Sequence, residues 1–208
     1  GNDLNLDYPS SASVSLTIEG GTFSGGLNTI KNDDYGELIV EGGTFTNVAQ
    51  AALLNWNEAE ISGGDFQADE GSSCVILNGY LDDTMDAGKL TITGGTFTGG
   101  QITVKNDDYG ELTITGGNFT QPGENRYAVY NANTATISGG TFTAESTVVG
   151  SDYFAGEANT GKLTISKGTF TSESSGTAIS MGAGADLTLT GGTFQTQGDG
   201  SSYVISLA

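Results

Sequence analysis

The chain of 208 residues has no histidine, one cysteine, one tryptophan and two prolines, and only six lysines and arginines against 25 aspartates and glutamates. Without histidine, every mechanism that uses imidazole as acid, base or metal ligand is excluded. Cys74 has no imidazole to take its proton, so it is not expected to act as a nucleophile, and a lone cysteine forms no internal disulfide. Its place in the apolar run Cys74-Val75-Ile76-Leu77 reads instead as a small buried residue. The formal charge of -19 argues against nucleic acid and anionic membranes as partners and leaves cations and neutral ligands. No run approaches the roughly 20 apolar residues of a membrane span, so membrane insertion is not expected.

Glycine is plentiful, at 34 residues, and it recurs in a pattern. Eight of the nine phenylalanines stand in Gly-Gly-Thr-Phe or a close variant, at Phe23, Phe45, Phe66, Phe97, Phe119, Phe142, Phe170 and Phe194. Their intervals of 22, 21, 31, 22, 23, 28 and 24 residues are those of a solenoid, in which each repeat buries its apolar face only against a neighbour. In the repeat ending at Phe119, Leu112-Thr113-Ile114-Thr115 alternates with the period of a strand, which turns Leu112 and Ile114 inward. Gly116-Gly117 allow a sharp bend, Asn118-Phe119-Thr120 reads as a second strand with the ring inside, and Ala128-Val129-Tyr130 reads as a third.

Three short strands per repeat, each paired with its counterpart one turn later, describe an all-β, single-stranded parallel β-helix (β-solenoid) of about eight rungs. The crossover rule makes it right-handed, and strands about 4.8 Å apart give a rod on the order of 40 Å long. Asn32, Asn55, Asn78, Asn106 and Asn131 close the third strand in five successive rungs, with Gly150 and Gly182 aligned to them in the next two. That interchange predicts a left-handed turn, and stacked asparagines are expected to hydrogen-bond from rung to rung.

A longer repeat overlies the rungs. Residues 20–47 and 94–121 match at 19 of 28 positions, including Lys-Asn-Asp-Asp-Tyr-Gly-Glu-Leu at 31–38 and 105–112, so the duplicated unit is 74 residues, or three rungs. Long loops are expected at Gly79 to Lys89 and Ser151 to Lys162, on one edge and roughly 14 Å apart. Residues 1–208 read as a single domain with an N-terminal cap over 1–13. The start Gly1-Asn2-Asp3-Leu4 lacks a signal-peptide layout, and Val204-Ile205-Ser206-Leu207 looks like an unfinished third strand. The expectation is a monomeric piece of a longer protein.

The edge after the third strands is rich in aromatic and acidic residues: Asp33, Asp34 and Tyr35, then Trp56, then Tyr80, Asp82 and Asp83, then Asp107, Asp108 and Tyr109, then Tyr153 and Phe154. Rings stack on sugar faces and carboxylates accept sugar hydroxyls, so these residues are candidate carbohydrate ligands. They equally suit a solvated turn. No cofactor is expected, although oxygen-rich loops of this kind could hold a structural calcium, one ion per Asn-Asp-Asp-Tyr-Gly-Glu block.

The run Leu-Thr-Ile-Thr-Gly-Gly-Thr-Phe at 90–97, with variants in the other rungs, resembles the Gly-Gly-Thr-Phe repeats of large secreted or wall-attached proteins of Gram-positive, often gut-dwelling, bacteria. The resemblance covers nearly the whole chain. It implies a parallel β-helix placed outside the cell, in a non-catalytic adhesion, carbohydrate-binding or spacer module whose partner is a glycan or host surface. An alternative is a polysaccharide-degrading lyase or glycoside hydrolase, since pectate lyases and polygalacturonases share this architecture. Such hydrolysis needs carboxylates converging from neighbouring rungs, whereas Asp33-Asp34 and Asp107-Asp108 are sequence neighbours in duplicated blocks. A third reading, ice binding, starts from outward threonine pairs such as Thr96 and Thr98 or Thr141 and Thr143, but Glu19, Glu41, Glu60, Asp65 and Gln67 interrupt those columns.

Overall fold

A computed structural model describes residues 13–208 apart from 34, 80–86, 125, 152–160, 175, 199 and 201. Each rung gives one short strand to each of three faces. The first face holds β1 (Val14–Ile18), β4 (Gly36–Val40), β7 (Glu58–Ile61), β10 (Lys89–Ile92), β13 (Glu111–Ile114), the first halves of β16 (Thr134–Ala144) and β18 (Lys162–Ser172), and β20 (Asp186–Leu189). The second holds β2 (Thr22–Ser24), β5 (Thr44–Asn47), β8 (Asp65–Ala68), β11 (Thr96–Gly99), β14 (Asn118–Gln121), the second halves of β16 and β18, and β21 (Thr193–Thr196). The third holds β3 (Asn28–Asn32), β6 (Ala51–Asn55), β9 (Cys74–Asn78), β12 (Ile102–Asn106), β15 (Tyr127–Asn131), β17 (Thr147–Ser151), β19 (Ile179–Met181) and β22 (Ile205–Leu207). Every strand pairs in parallel with its counterpart one rung on, and the described residues contain no α-helix, so the chain is a β-solenoid of eight turns. β22 completes the eighth rung, with Ile205 in register with Ile179.

Period-two alternation decides the first two faces. Leu90, Leu112 and Leu163 and their partners Ile92, Ile114 and Ile165 are buried, while the threonines between them face out. On the second face the eight phenylalanines form one column of stacked rings, with neighbouring centroids 4.4–5.2 Å apart. The six interior rings are essentially inaccessible, and Phe23 and Phe194 at the ends are half-buried. Strand spacing sets the ring spacing, so the stack is a direct consequence of one phenylalanine per rung.

The two glycines of the bend have different reasons. Gly117 takes a φ of +103°, which only glycine adopts without strain. Gly116 is needed for space, because a Cβ there would stand 2.3 Å from the Thr93 carbonyl oxygen of the rung beneath. In the seventh rung Lys167 occupies the place of that first glycine, and the pairing of β16 with β18 shifts register at this corner.

The third face departs from alternation. β6 and β9 are buried at all five positions. Ala52, Leu53, Val75 and Ile76 pack into the solenoid core, while Ala51, Leu54, Cys74 and Leu77 join Ile102 and Tyr130 in a second buried cluster. Burial pushes the Cys74 thiol from its ordinary 9.0 up to about 12. The folded protein is therefore expected to resist alkylation at Cys74 by iodoacetamide and to react fully once unfolded. Because the unfolded thiol loses its proton first, stability should also fall as pH rises above about 9. Rapid labelling of the native protein at neutral pH would contradict this burial.

The asparagine column forms the expected ladder. The Nδ2 atoms of Asn32, Asn55, Asn78 and Asn106 donate to the Oδ1 atoms of Asn55, Asn78, Asn106 and Asn131, each at 2.8 Å. Each amide also donates to a carbonyl at the start of a first-face strand or just before it, as Asn78 does to Gly88 O and Glu111 O at 3.1 Å. The alignment with Gly150 and Gly182 is corrected by register: Gly150 pairs with Tyr130, so Ser151 follows Asn131 and Met181 follows Ser151. The column is thus an inward amide position at the strand end, and asparagine stands there for its donors and acceptor.

Candidate functional site

The edge singled out by the sequence is the corner where each third-face strand turns into the next rung. In the first and fourth rungs the duplicated blocks build the same corner. Asp33 O accepts from Gly36 N at 2.7 Å, and Asp107 O accepts from Gly110 N at 2.8 Å. The lysine two residues before each aspartate reaches its carboxylate, Lys31 to Asp33 and Lys105 to Asp107, the latter at 2.6 Å. Lys31 also lies over the Trp56 ring, 4.1 Å from its centroid, which adds a cation-π contact across one rung.

The copies differ in exposure. The Asp33 side chain is about half exposed, whereas that of Asp107 is only 6% exposed beneath its lysine. Asp107 N donates to Asn78 O of the third rung, which ties its corner to the base of the preceding loop. Asp107 is accordingly a buried brace, and the exposed aromatic of both corners is the tyrosine: Tyr35 is 44% and Tyr109 37% exposed. Asp108 is exposed beside Tyr109. Trp56 is half-buried, packs against the second cluster and donates its backbone N–H to Asn32 O at 2.8 Å. Asp34, Tyr80, Asp82, Asp83, Tyr153 and Phe154 lie outside the described residues, as do the proposed cap and the bodies of both long loops.

The pairing brings Tyr35 and Tyr109 onto one edge three rungs apart, roughly 14 Å. Neither block joins the other, and among the described residues no group of three His, Cys, Asp or Glu side chains is gathered for a metal ion.

Register also assembles groups that composition leaves scattered. On the outer first face Glu37 stands beside Glu58, and Glu58 beside Lys89. Lys89 Nζ donates to Glu58 Oε1 at 2.9 Å, a hydrogen bond that raises the lysine pKa from its ordinary value. Thr91, Thr113, Thr136, Thr164 and Thr188 form an unbroken outward column from rung four to rung eight, while Ile39 and Glu60 occupy that column in rungs two and three.

A second polar network lies at the opposite ends of the third-face strands. Asn47 and Gln121 are both buried and each reaches down to a Gly-Gly turn of the rung beneath. Gln121 Nε2 donates to Gly99 O and Gly100 O at 3.2 and 2.7 Å, and Asn47 Nδ2 donates to Gly25 O and Gly26 O at 3.4 and 3.3 Å. The signal was present in the duplicated Gly-Gly pairs, but only stacking shows that the next rung clasps them. Compared with known proteins, the chain matches no family model, no curated protein and no solved structure.

Proposed function

We propose that this chain is a non-catalytic module of a secreted or wall-attached bacterial protein, presenting weak carbohydrate-binding corners along a rigid solenoid. The observation that carries the reading is the exposed tyrosine of a duplicated corner, Tyr35 in rung one and Tyr109 in rung four, each two residues after the aspartate of a lysine-aspartate pair. Repetition is what a polyvalent surface uses, whereas a catalytic centre is ordinarily unique. Two weak contacts on one rigid support add through effective concentration, by about 100-fold or more on a polymeric ligand. The Gly-Gly-Thr-Phe resemblance supports the extracellular placement, and the acidic surface suits neutral glycans over anionic ones.

Glycan-array binding, followed by titration of a hit, tests the reading. Tyr35→Ala or Tyr109→Ala alone is expected to remove the avidity gain, about 100-fold in polymer binding, and the double variant to lose binding at the corners altogether. Equal, small and independent losses would sink the avidity mechanism. Absence of binding to every glycan would leave a spacer without a ligand.

A further inference from the structure

The connections between the second and third faces differ in length from rung to rung. Only two residues, Gly100 and Gln101, join β11 to β12, whereas five (69–73) join β8 to β9 in the rung beneath and five (122–126) join β14 to β15 in the rung above. The short turn cannot be padded from within. Gly99 takes a φ of +97°, and a Cβ there would stand 2.0 Å from Ala68 O. Rung four is therefore recessed between its neighbours, and a groove of about 550 Å³ runs from it past the rung-three turn to rung two. That volume falls within the roughly 300–1,000 Å³ of small-ligand sites.

The groove floor is a column in strict register: Thr46 pairs with Gln67, and Gln67 with Thr98. These outward side chains follow one another at the strand spacing of about 4.8 Å, along the rod axis. One wall is the Asp69-Glu70-Gly71 turn, and Pro122 closes the far end. The lining contains two hydroxyls, the exposed carboxamide of Gln67, the buried one of Asn47 and two carboxylates, but no cation and no aromatic ring. Such a set exchanges hydrogen bonds with hydroxyls and repels anions. An extended, equatorially linked pyranose is close in length to one rung, so a linear glycan laid along the column would present each successive sugar to the next side chain.

The geometry points to a second binding site here, for roughly three units of a linear, uncharged polysaccharide running along the rod across Thr46, Gln67 and Thr98. It rests on the carbohydrate reading above but uses none of the tyrosine corners, which lie at the other ends of the third-face strands. The wall carboxylates discriminate against uronic acid polymers.

The test is titration of the intact chain, by calorimetry and amide chemical shifts, with β-1,4-linked glucose and N-acetylglucosamine oligomers of increasing length and with galacturonic acid oligomers as the charge control. Three variants accompany it. Gly71→Leu projects a side chain from the wall at a position where a Cβ meets nothing within 4 Å and φ is not left-handed, so the fold is retained. Gln67→Ala removes the central floor contact, and Tyr35→Ala with Tyr109→Ala removes the corners.

Expected are neutral-oligomer affinities that rise up to about three or four sugars and then level, shifts at Thr46, Gln67 and Thr98, and at least a tenfold loss in Gly71→Leu and Gln67→Ala. The double tyrosine variant should keep this short-oligomer binding. If oligomers bind but only the tyrosine variant loses them, the groove is overturned and the carbohydrate reading stands. Preference for the galacturonic acid series overturns the groove as well. Binding of no glycan at all overturns both.

Discussion

Phe119→Ala is expected to lower the unfolding free energy by about 3–5 kcal/mol, the cost of emptying a buried aromatic site. The ring is 1% exposed and is stacked on both sides, 4.8 Å from Phe97 and 4.6 Å from Phe142. Its place cannot be refilled by collapse, because the parallel strands above and below are held at fixed spacing by their own hydrogen bonds. Each rung is stabilised mainly by its neighbours, so the loss should also lower cooperativity, splitting the denaturation of the rungs on either side. Phe194→Ala is the internal comparison. Among the described residues it stacks only on Phe170, and it is half-buried, so its loss should be about half as large. Urea denaturation followed by far-ultraviolet dichroism measures both, and equal effects at the two positions would contradict a packed column.

Asn78→Ala should cost about 3–5 kcal/mol as well, by a different route. The side chain is fully buried, accepts from Asn55 and donates to Asn106 Oδ1, Gly88 O and Glu111 O. Removing it leaves several buried polar atoms short of partners, each costing about 1–3 kcal/mol. It also cuts a chain of five amides at its centre, where hydrogen bonds polarise one another.

Asn78→Asp separates the donor role from the acceptor role. A carboxylate can still accept from Asn55 but has nothing to give the three oxygens, which disfavour its charged form and raise its folded pKa above the unfolded value. The unfolded chain then loses its proton first, so this variant should lose stability as pH rises above about 4, the ordinary aspartate value. Equal stability at pH 4 and pH 7 would show that the ladder's donors do not matter.

The legible part of the fold is the local part. Leu112-Thr113-Ile114 predicts one inward side because side chains in a strand alternate, and the recurrent phenylalanine predicts a column because identical positions stack. The asparagine ladder was foreseen only in part. Both a left-handed turn and an inward amide call for asparagine, and only the pairing of Gly150 with Tyr130 separates them. On the third face, five consecutive buried residues in β9 defeat any reading from alternation, since two adjacent side chains enter the core while Cys74 and Leu77 join a second cluster. For the candidate site, composition located an edge crowded with aspartates and tyrosines. It could not tell that Lys105 covers Asp107 while Tyr109 stays exposed.

By itself the sequence determined that this protein is a β-solenoid, how many rungs it has, which side chains form its two main columns, and that one three-rung unit is duplicated. These follow from periodicity, which repeats the same local solution in every turn. Tertiary structure alone decided which carboxylates are braced and which tyrosines remain exposed. It also decided where a two-residue turn falls between two longer ones to leave a groove. Those outcomes depend on the difference between one rung and the next, and that difference becomes physical only when the rungs are stacked in register about 4.8 Å apart.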